Sequence, residues 1–557
     1  MRKSKERDLL RPDESLVPRR DFLKSLLAGI PALVLDWERF PRGKGLRPSE
    51  DGYDAIIIGA GLGGLSCAAA FARQGFRPLV LEQHTVPGGY ATTFKRPGGF
   101  VFDVSLHSTV VGERNGLHNL IPGFPEITNV EFVPHPFLYR TIFPGYDFRV
   151  PQKNPAKYRD ILAGFFPEEK DGIDGILEDM RGLTQDINKY SQAGGKVNMA
   201  SFPKDFPYLL KCSGKTWGQM ADARLKDSKL KAIISALCGY FGLPPSKLSS
   251  YYYALPTITY LEEGGYYPKG ASQAISDALA AFIKGHGGTI KLATSVERIL
   301  VKDHVAIGAM TADGSEYLGK VVVANANPID VFFKMMDEKD YLKDYLAKLE
   351  KYSVSLSCFQ IFLGLKKDLV GELKIPDTEI FYSPGFDYEA AYRAQLSADM
   401  SNPGFGLMLY DNLYSGYSPK GKNTLNIITL QGYDHWAPFE ESYKKGEKKE
   451  YRAEKERLAD VLIKKAEEML LPGLSRAIEV KEIGSPLTHW RYTRNYRGAI
   501  YGWDQTLDNS GPNRLPHATP IKNLYLSGAW TQPGHGYGAV IPSGLQCFAE
   551  IMKNWPA

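Results

Sequence analysis

The sequence predicts an α/β fold organised around one parallel βαβ unit, on three adjacent observations. Asp54-Ala55-Ile56-Ile57-Ile58 is a short β-branched run of the kind that forms a buried parallel strand. It passes directly into Gly59-Ala60-Gly61-Leu62-Gly63-Gly64, after which Leu65 to Gln74 reads as a helix closed by Gly75. Pro78 to Leu81 then supplies a second apolar strand, with Glu82 at its end.

Each part of that unit has a physical task. Gly59 permits the tight turn out of the strand, Gly61 lets backbone approach a pyrophosphate, and Gly64 lets helix and strand pack closely. The helix N-terminus presents free N–H groups and a favourable dipole to the phosphates. Glu82 can accept hydrogen bonds from a ribose. A glycine triplet alone is weak evidence; strand, glycines, helix, second strand and acid in this order predict dinucleotide binding.

Composition narrows the class. The 557 residues are 43% hydrophobic and 24% charged, as in a soluble globular protein, and the chain is long enough for two or three units with sizeable cores. The net charge of +5 arises mostly in the first fifty residues, so the body is near neutral and nothing points to nucleic acid as a partner. Five cysteines (Cys67, Cys212, Cys238, Cys358, Cys547) lie far apart, with neither a metal-binding cluster nor a disulfide framework; no metal is expected. The ten histidines also lack metal spacing.

Pro18-Arg19-Arg20-Asp21-Phe22-Leu23-Lys24, followed by the apolar run Ser25 to Leu35, resembles a twin-arginine export signal. The run is too short for a membrane span, which takes about twenty residues. The resemblance implies export of a folded, cofactor-loaded protein to the periplasm or the outer face of a bacterial cytoplasmic membrane, with residues 1–50 serving as leader and linker.

Further segments continue the dinucleotide theme. Val86-Pro87-Gly88-Gly89-Tyr90-Ala91 and Phe100-Val101-Phe102-Asp103 follow Glu82. Gly265-Tyr266-Tyr267-Pro268-Lys269-Gly270 opens a helix over Ala271 to Lys284 and leads to Thr294-Ser295-Val296-Glu297-Arg298. Gly498-Ala499-Ile500-Tyr501-Gly502-Trp503 comes later, and Asn523-Leu524-Tyr525-Leu526-Ser527-Gly528-Ala529-Trp530 precedes a helix expected from about Pro542. Together they resemble the phytoene desaturase, carotenoid isomerase and retinol saturase branch of the FAD-dependent amine-oxidase-like superfamily, from about residue 51 to the C-terminus.

That resemblance implies a two-dinucleotide-binding-domain (glutathione-reductase-like) FAD fold with an inserted α+β substrate domain. The FAD-binding parts fall at 51–110, 261–330 and 481–557, and the substrate domain at 111–260 and 331–480. It implies FAD held by Gly59, Gly61, Gly64, Glu82, Gly88, Gly89, Val296, Gly528 and Ala529, with Val296 meeting the adenine through its backbone. Two positions depart from the family: Ser105 stands where a glycine is usual, and Ala529 where many members have the Asp that holds the ribityl chain. Tyr501 and His107, inside flavin-proximal segments, are the catalytic candidates; His489 shares that setting.

The implied activity is a redox reaction on a hydrophobic polyene or isoprenoid, by desaturation, saturation or isomerisation. No second glycine triplet of this kind occurs, so electrons are expected to pass through another, unidentified carrier. Tyr251-Tyr252-Tyr253, Phe332-Phe333 with Met335-Met336, and Phe206-Pro207-Tyr208 could line an apolar tunnel, touch a membrane surface peripherally, or serve as ordinary core. Two rivals share the frame: a flavin amine oxidase, and a non-enzymatic lipid-binding or escort protein. The complete glycine set disfavours the second.

Overall fold

A computed structural model describes residues 37–43 and 52–556, apart from 112–120, 122–123, 125–126, 128–129, 193–196, 199 and 338. The twin-arginine stretch and the apolar run up to Leu35 lie outside the described residues.

The βαβ unit forms as its sequence requires. The strand Tyr53–Ile58 pairs in parallel with Pro78–Leu81 on one side and with the second half of Glu316–Ala324 on the other. Thr289–Lys291 extends the parallel sheet beyond Pro78–Leu81, and Leu524–Leu526 adds to Glu316–Ala324. The strand Glu316–Ala324 has two partners along its length. Its first half pairs antiparallel with Val305–Thr311, which pairs in turn with Val296–Lys302. One sheet therefore gathers strands from all three dinucleotide segments.

The helix Leu62–Arg73 is buried from Leu62 to Ala72, because it lies between the sheet and two other helices, Gln273–Gly285 and Tyr537–Lys553. Its small residues permit that close packing: a Cβ on Gly544 of the last helix would lie 2.2 Å from the Gly63 carbonyl oxygen. The last helix begins at Tyr537, five residues before the expected Pro542, which sits inside it. The N–H that proline lacks would have bonded the carbonyl of Gly538, an exposed residue, so the helix tolerates it.

Residues expected as linker are partly docked. Trp37 stands edge-on to Phe124, with ring centroids 5.3 Å apart, and the Arg73 guanidinium lies 4.8 Å over its ring. The Trp37 carbonyl accepts from Gln74 Nε2 at 3.1 Å, and Gly43 N–H donates to the Gln74 carbonyl at 2.8 Å. This stretch belongs to the dinucleotide-binding body.

The insertions fold together rather than separately. A second sheet runs in the order Ile478–Gly484, Ser357–Leu365, Asn423–Gln431, Phe405–Met408, Glu379–Tyr382, Tyr139–Phe143, Tyr146–Val150. Its last two strands come from the first insertion and join the second through the parallel pair Ile380↔Arg140. Helices between Pro155 and Glu263 form a separate cluster above it, centred on Trp217, Tyr253 and Ile258. The helix Lys449–Met469 buries Tyr451, Leu458, Leu462 and Ile463 and keeps charged pairs such as Arg457–Glu454 outside. No helix among the described residues is long and apolar enough to cross a membrane.

Candidate functional site

A cavity of about 1290 Å³ runs from the glycine loop into the substrate domain. Every residue expected to hold the dinucleotide lines it except Gly64, which lies beneath.

The glycine loop is built without room for side chains. Gly59 has φ +93°, a left-handed conformation, and a Cβ there would meet the Asn325 carbonyl oxygen at 2.7 Å. A Cβ on Gly64 would lie 2.1 Å from the Gly59 carbonyl oxygen. The second glycine pair packs onto this loop: Gly88 N–H donates to the Ala60 carbonyl at 2.8 Å, and Gly61 bridges Gly88. Behind both sits Asn325, whose amide, turned so that its oxygen faces the loop, accepts from Gly61 N–H at 3.2 Å and Gly64 N–H at 3.3 Å.

Glu82 is held by two backbone amides, Ala60 N–H at 2.7 Å and His84 N–H at 2.8 Å. Burial pushes its carboxyl above the usual range, while these donors and His84 oppose that shift. The carboxylate is fixed at the strand end, where a ribose hydroxyl can reach its remaining lone pairs. Val296, nearly buried, forms the adjacent wall.

The C-terminal motif closes the loop from the other side. Gly528, at φ +93°, donates its N–H to Ser543 Oγ at 2.9 Å, and its Cα would lie 2.8 Å from a Cβ on Gly63. At Ala529 the backbone is held instead of a side chain. Its carbonyl accepts from the buried Arg514 at 2.5 Å, and the same guanidinium bonds the Thr531 carbonyl at 2.9 Å. Ser105 is explained too: its Oγ donates to the Tyr90 carbonyl at 2.8 Å, tying the Phe-Asp turn to the Gly-Gly loop. Asp103 below it accepts from Tyr267 Oη, from Ser272 Oγ at 2.8 Å and from Ser272 N–H at 2.8 Å.

A helix N-terminus, a side-chain-free cradle and an anchored acid suit the pyrophosphate and ribose of FAD. These residues would hold the nucleotide. The flavin would supply hydride chemistry when bound, and the walls beyond the loop would set what reaches it.

Those walls are aromatic and neutral. Tyr501 and His107 both line the cavity. The Tyr501 hydroxyl is spent on the Gly239 carbonyl at 2.8 Å, and its ring lies 4.4 Å from that of His535. His107 stacks on Tyr240 at 5.7 Å, and burial lowers its pKa to about 4, so it is neutral. His489 lies 3.1 Å from Cys358 Sγ. Of the clusters, Tyr251, Tyr252 and Met335 line the cavity, while Tyr253, Phe332 and Phe206 are core.

Asn325, Arg514, Tyr240, Gln505 and His535 join the site without having been singled out as site residues from sequence. His535 Nδ1 faces Gln505 Nε2 at 2.8 Å and its Nε2 faces the Tyr240 carbonyl at 2.9 Å. The amide donates to Nδ1 and Nε2–H donates to the carbonyl, which fixes a neutral tautomer. Gly534-His535-Gly536 was the only available signal, two glycines around a polar ring.

Residues 62–551 match the family of flavin containing amine oxidoreductases. The chain is 27% identical to the prolycopene isomerase, chloroplastic, of Arabidopsis thaliana, covering 98% of this chain and 89% of that protein. It is 26% identical to the all-trans-retinol 13,14-reductase of Danio rerio (91% and 87%) and 27% identical to the neurosporene-forming phytoene desaturase of Rhodobacter capsulatus (90% and 94%). Among solved structures, a putrescine oxidase double mutant matches with a TM-score of 0.60 at 13% identity, over 90% of this chain and 99% of that one. An oxidoreductase from Methanosarcina mazei matches with a TM-score of 0.58 at 17% identity, over 89% and 100%. These structural likenesses establish the fold.

Proposed function

We propose, from the premise that this chain belongs to the flavin containing amine oxidoreductase family and uses FAD, that its substrate is a hydrophobic polyene or isoprenoid and its reaction a desaturation, saturation or isomerisation. The observation that carries this reading is the cavity's wall. Beyond the glycine loop it is lined by Ile187, Leu237, Phe241, Tyr251 and Leu255, and its carboxylates among the described residues are Glu82, Glu297 and Asp330, on the nucleotide-binding segments. A dry, apolar, aromatic channel suits a conjugated chain. A protonated amine would find no counter-ion in that half, which disfavours the amine oxidase.

The chain's own residues have three tasks. The apolar walls would keep water from a bound substrate, and Tyr501 and His535 pin the end of the 236–240 turn to the loops around residues 501 and 535. With FAD bound, that wall would hold a double bond within reach of the flavin. The test uses purified holoprotein, reduced with dithionite and mixed anaerobically with prolycopene, all-trans-retinol, phytoene or simple amines. Flavin reoxidation with a mass gain of two hydrogens marks a saturase, and loss of two from the oxidised enzyme a desaturase. Conversion without a mass change marks an isomerase. NADH and NADPH should reduce the flavin slowly, since another carrier serves it. Fast reduction by amines with no response to any polyene overturns the reading.

For location, we favour export by a twin-arginine route, with peripheral membrane contact where apolar substrate would be collected; the support is the Arg19-Arg20 segment itself. Replacing both arginines with lysine keeps the charge, so the double variant should remain in the cytoplasm while the wild type is exported. Unchanged fractionation of the variant removes this reading.

A further inference from the structure

Tyr240 is set apart from four other tyrosines of the cavity by what its hydroxyl touches. Tyr90, Tyr252, Tyr260 and Tyr501 give their protons to the carbonyls of Ala499, Pro533, Leu138 and Gly239, partners that cannot return one. Tyr240 donates instead to a carboxyl, Glu379 Oε2, at 3.0 Å. Glu379 opens the strand Glu379–Tyr382 and is completely buried. Its second oxygen has no hydrogen-bond partner, and no cation pairs with it among the described residues, although Asp377 two positions earlier is paired with Arg149 at 2.6 Å. A buried carboxyl with one neutral partner and one bare oxygen is poor design for stability, and such sites occur where a proton is handled.

We propose that Tyr240 and Glu379 are the proton-transfer pair of this site, Tyr240 meeting the substrate and Glu379 supplying or receiving the proton behind it. The inference rests on the polyene reading above. Adding two hydrogens to a C=C needs a hydride, which reduced flavin supplies, and a proton. The hydride forms a C–H bond at one carbon. The π electrons released at the other take the Tyr240 hydroxyl proton, for which the hydroxyl turns to the substrate and the protonated Glu379 oxygen becomes the donor across their 3.0 Å contact. The Glu379 proton then passes to the tyrosine oxygen, and a proton from bulk water restores the carboxyl when the channel opens to release product. Desaturation runs the same transfers backwards from the ionised form of Glu379: the tyrosine oxygen takes the substrate C–H proton while its own proton passes to the Glu379 carboxylate.

The surroundings keep the pair as the titrating element. Burial raises the Glu379 carboxyl to about 8, which leaves it protonated but ready to ionise near neutral pH. The groups that face it are Tyr240, Tyr260 and Tyr410, and those that face Tyr240 include Tyr139 and His107. The tyrosines are pushed well above 10 by burial, and His107 is neutral.

The test compares wild-type holoprotein with E379Q, Y240F and the double variant. All should retain FAD with an unchanged visible spectrum and an unchanged KM for whichever of prolycopene, all-trans-retinol or phytoene turns over. Each single variant should lose about a hundredfold or more in kcat, and the double variant should be no worse than either. An infrared titration, wild type minus E379Q, should show a neutral-carboxyl band at neutral pH that disappears with a midpoint near 8. Full kcat in both single variants overturns the proposal, as does a carboxyl that ionises in the ordinary range. If no polyene reacts with the wild type, the functional reading fails, while the infrared titration still decides whether Glu379 holds a proton.

Discussion

Replacing Gly64 with alanine is expected to give a protein that no longer retains FAD. The added methyl would sit 2.1 Å from the Gly59 carbonyl oxygen and 3.1 Å from Asn325, and neither can yield cheaply. The first is backbone in the tight turn, and Asn325 is wedged against Gly59, Gly61 and Gly528 as well. The helix must therefore slide away from the strand, and its first N–H groups leave the phosphate position. Purified G64A should be colourless, and adding FAD should restore less than a tenth of the flavin that wild type binds. G64E should be at least as severe. Gly446, at φ +85° with nothing near a Cβ, is the control: alanine there strains the turn but should leave flavin content unchanged. Full flavin occupancy in G64A would mean that the cradle is not where FAD binds.

Removing the Arg514 guanidinium should be the most destabilising single change behind the site. Arg514 is completely buried, and its hydrogen bonds go to the carbonyls of Thr531, Ala529, Trp503 and Asn509, not to a carboxylate. Burial without such a partner lowers its pKa, and burial likewise raises nearby Asp504 to about 6, against the opposing pull of the Arg514 charge. In R514L these buried carbonyls lose their donor, each at a cost of about 1–3 kcal/mol, for a loss on the order of 3 kcal/mol or more. The Gly528–Thr531 loop should loosen, so FAD affinity falls along with stability. R514K should be intermediate, because an ammonium serves one carbonyl well but lacks the planar fork. Equilibrium unfolding in urea, with and without added FAD, measures both effects. An R514L protein as stable as wild type would show that the loop does not depend on this cation.

The contrast between Gly64 and Arg514 shows which parts of the site can be read from sequence. Gly59, Gly61, Gly64 and Glu82 lie within twenty-four consecutive residues, and each is a type with few alternative explanations at that spacing. The second glycine pair and the C-terminal Gly528 were legible through family resemblance. Arg514 lies in a loop with no pattern, and only folding brings its fork to the backbone of Ala529. That contact grips the loop at 529 through its backbone carbonyl.

The insertions were harder for a related reason. Their strands at Ser357–Leu365 and Asn423–Gln431 are apolar enough to expect, and the helix at Lys449–Met469 follows its charged and apolar faces. Nothing local indicates that Tyr139–Phe143 from the first insertion pairs with Glu379–Tyr382 from the second. The meeting of Tyr240 with Glu379, 139 residues apart, depends on that assembly. Isolated polar residues in apolar surroundings read as satisfied core until their partners are known.

The central claim is that the cavity is an FAD site opening onto an apolar channel, and its most direct test is the absorbance of the purified protein before and after denaturation. The native protein should be yellow, with oxidised-flavin bands that shift when a polyene such as all-trans-retinol is added. Denaturation should release one FAD per chain into solution. A colourless wild type that cannot be reconstituted with FAD would contradict the account.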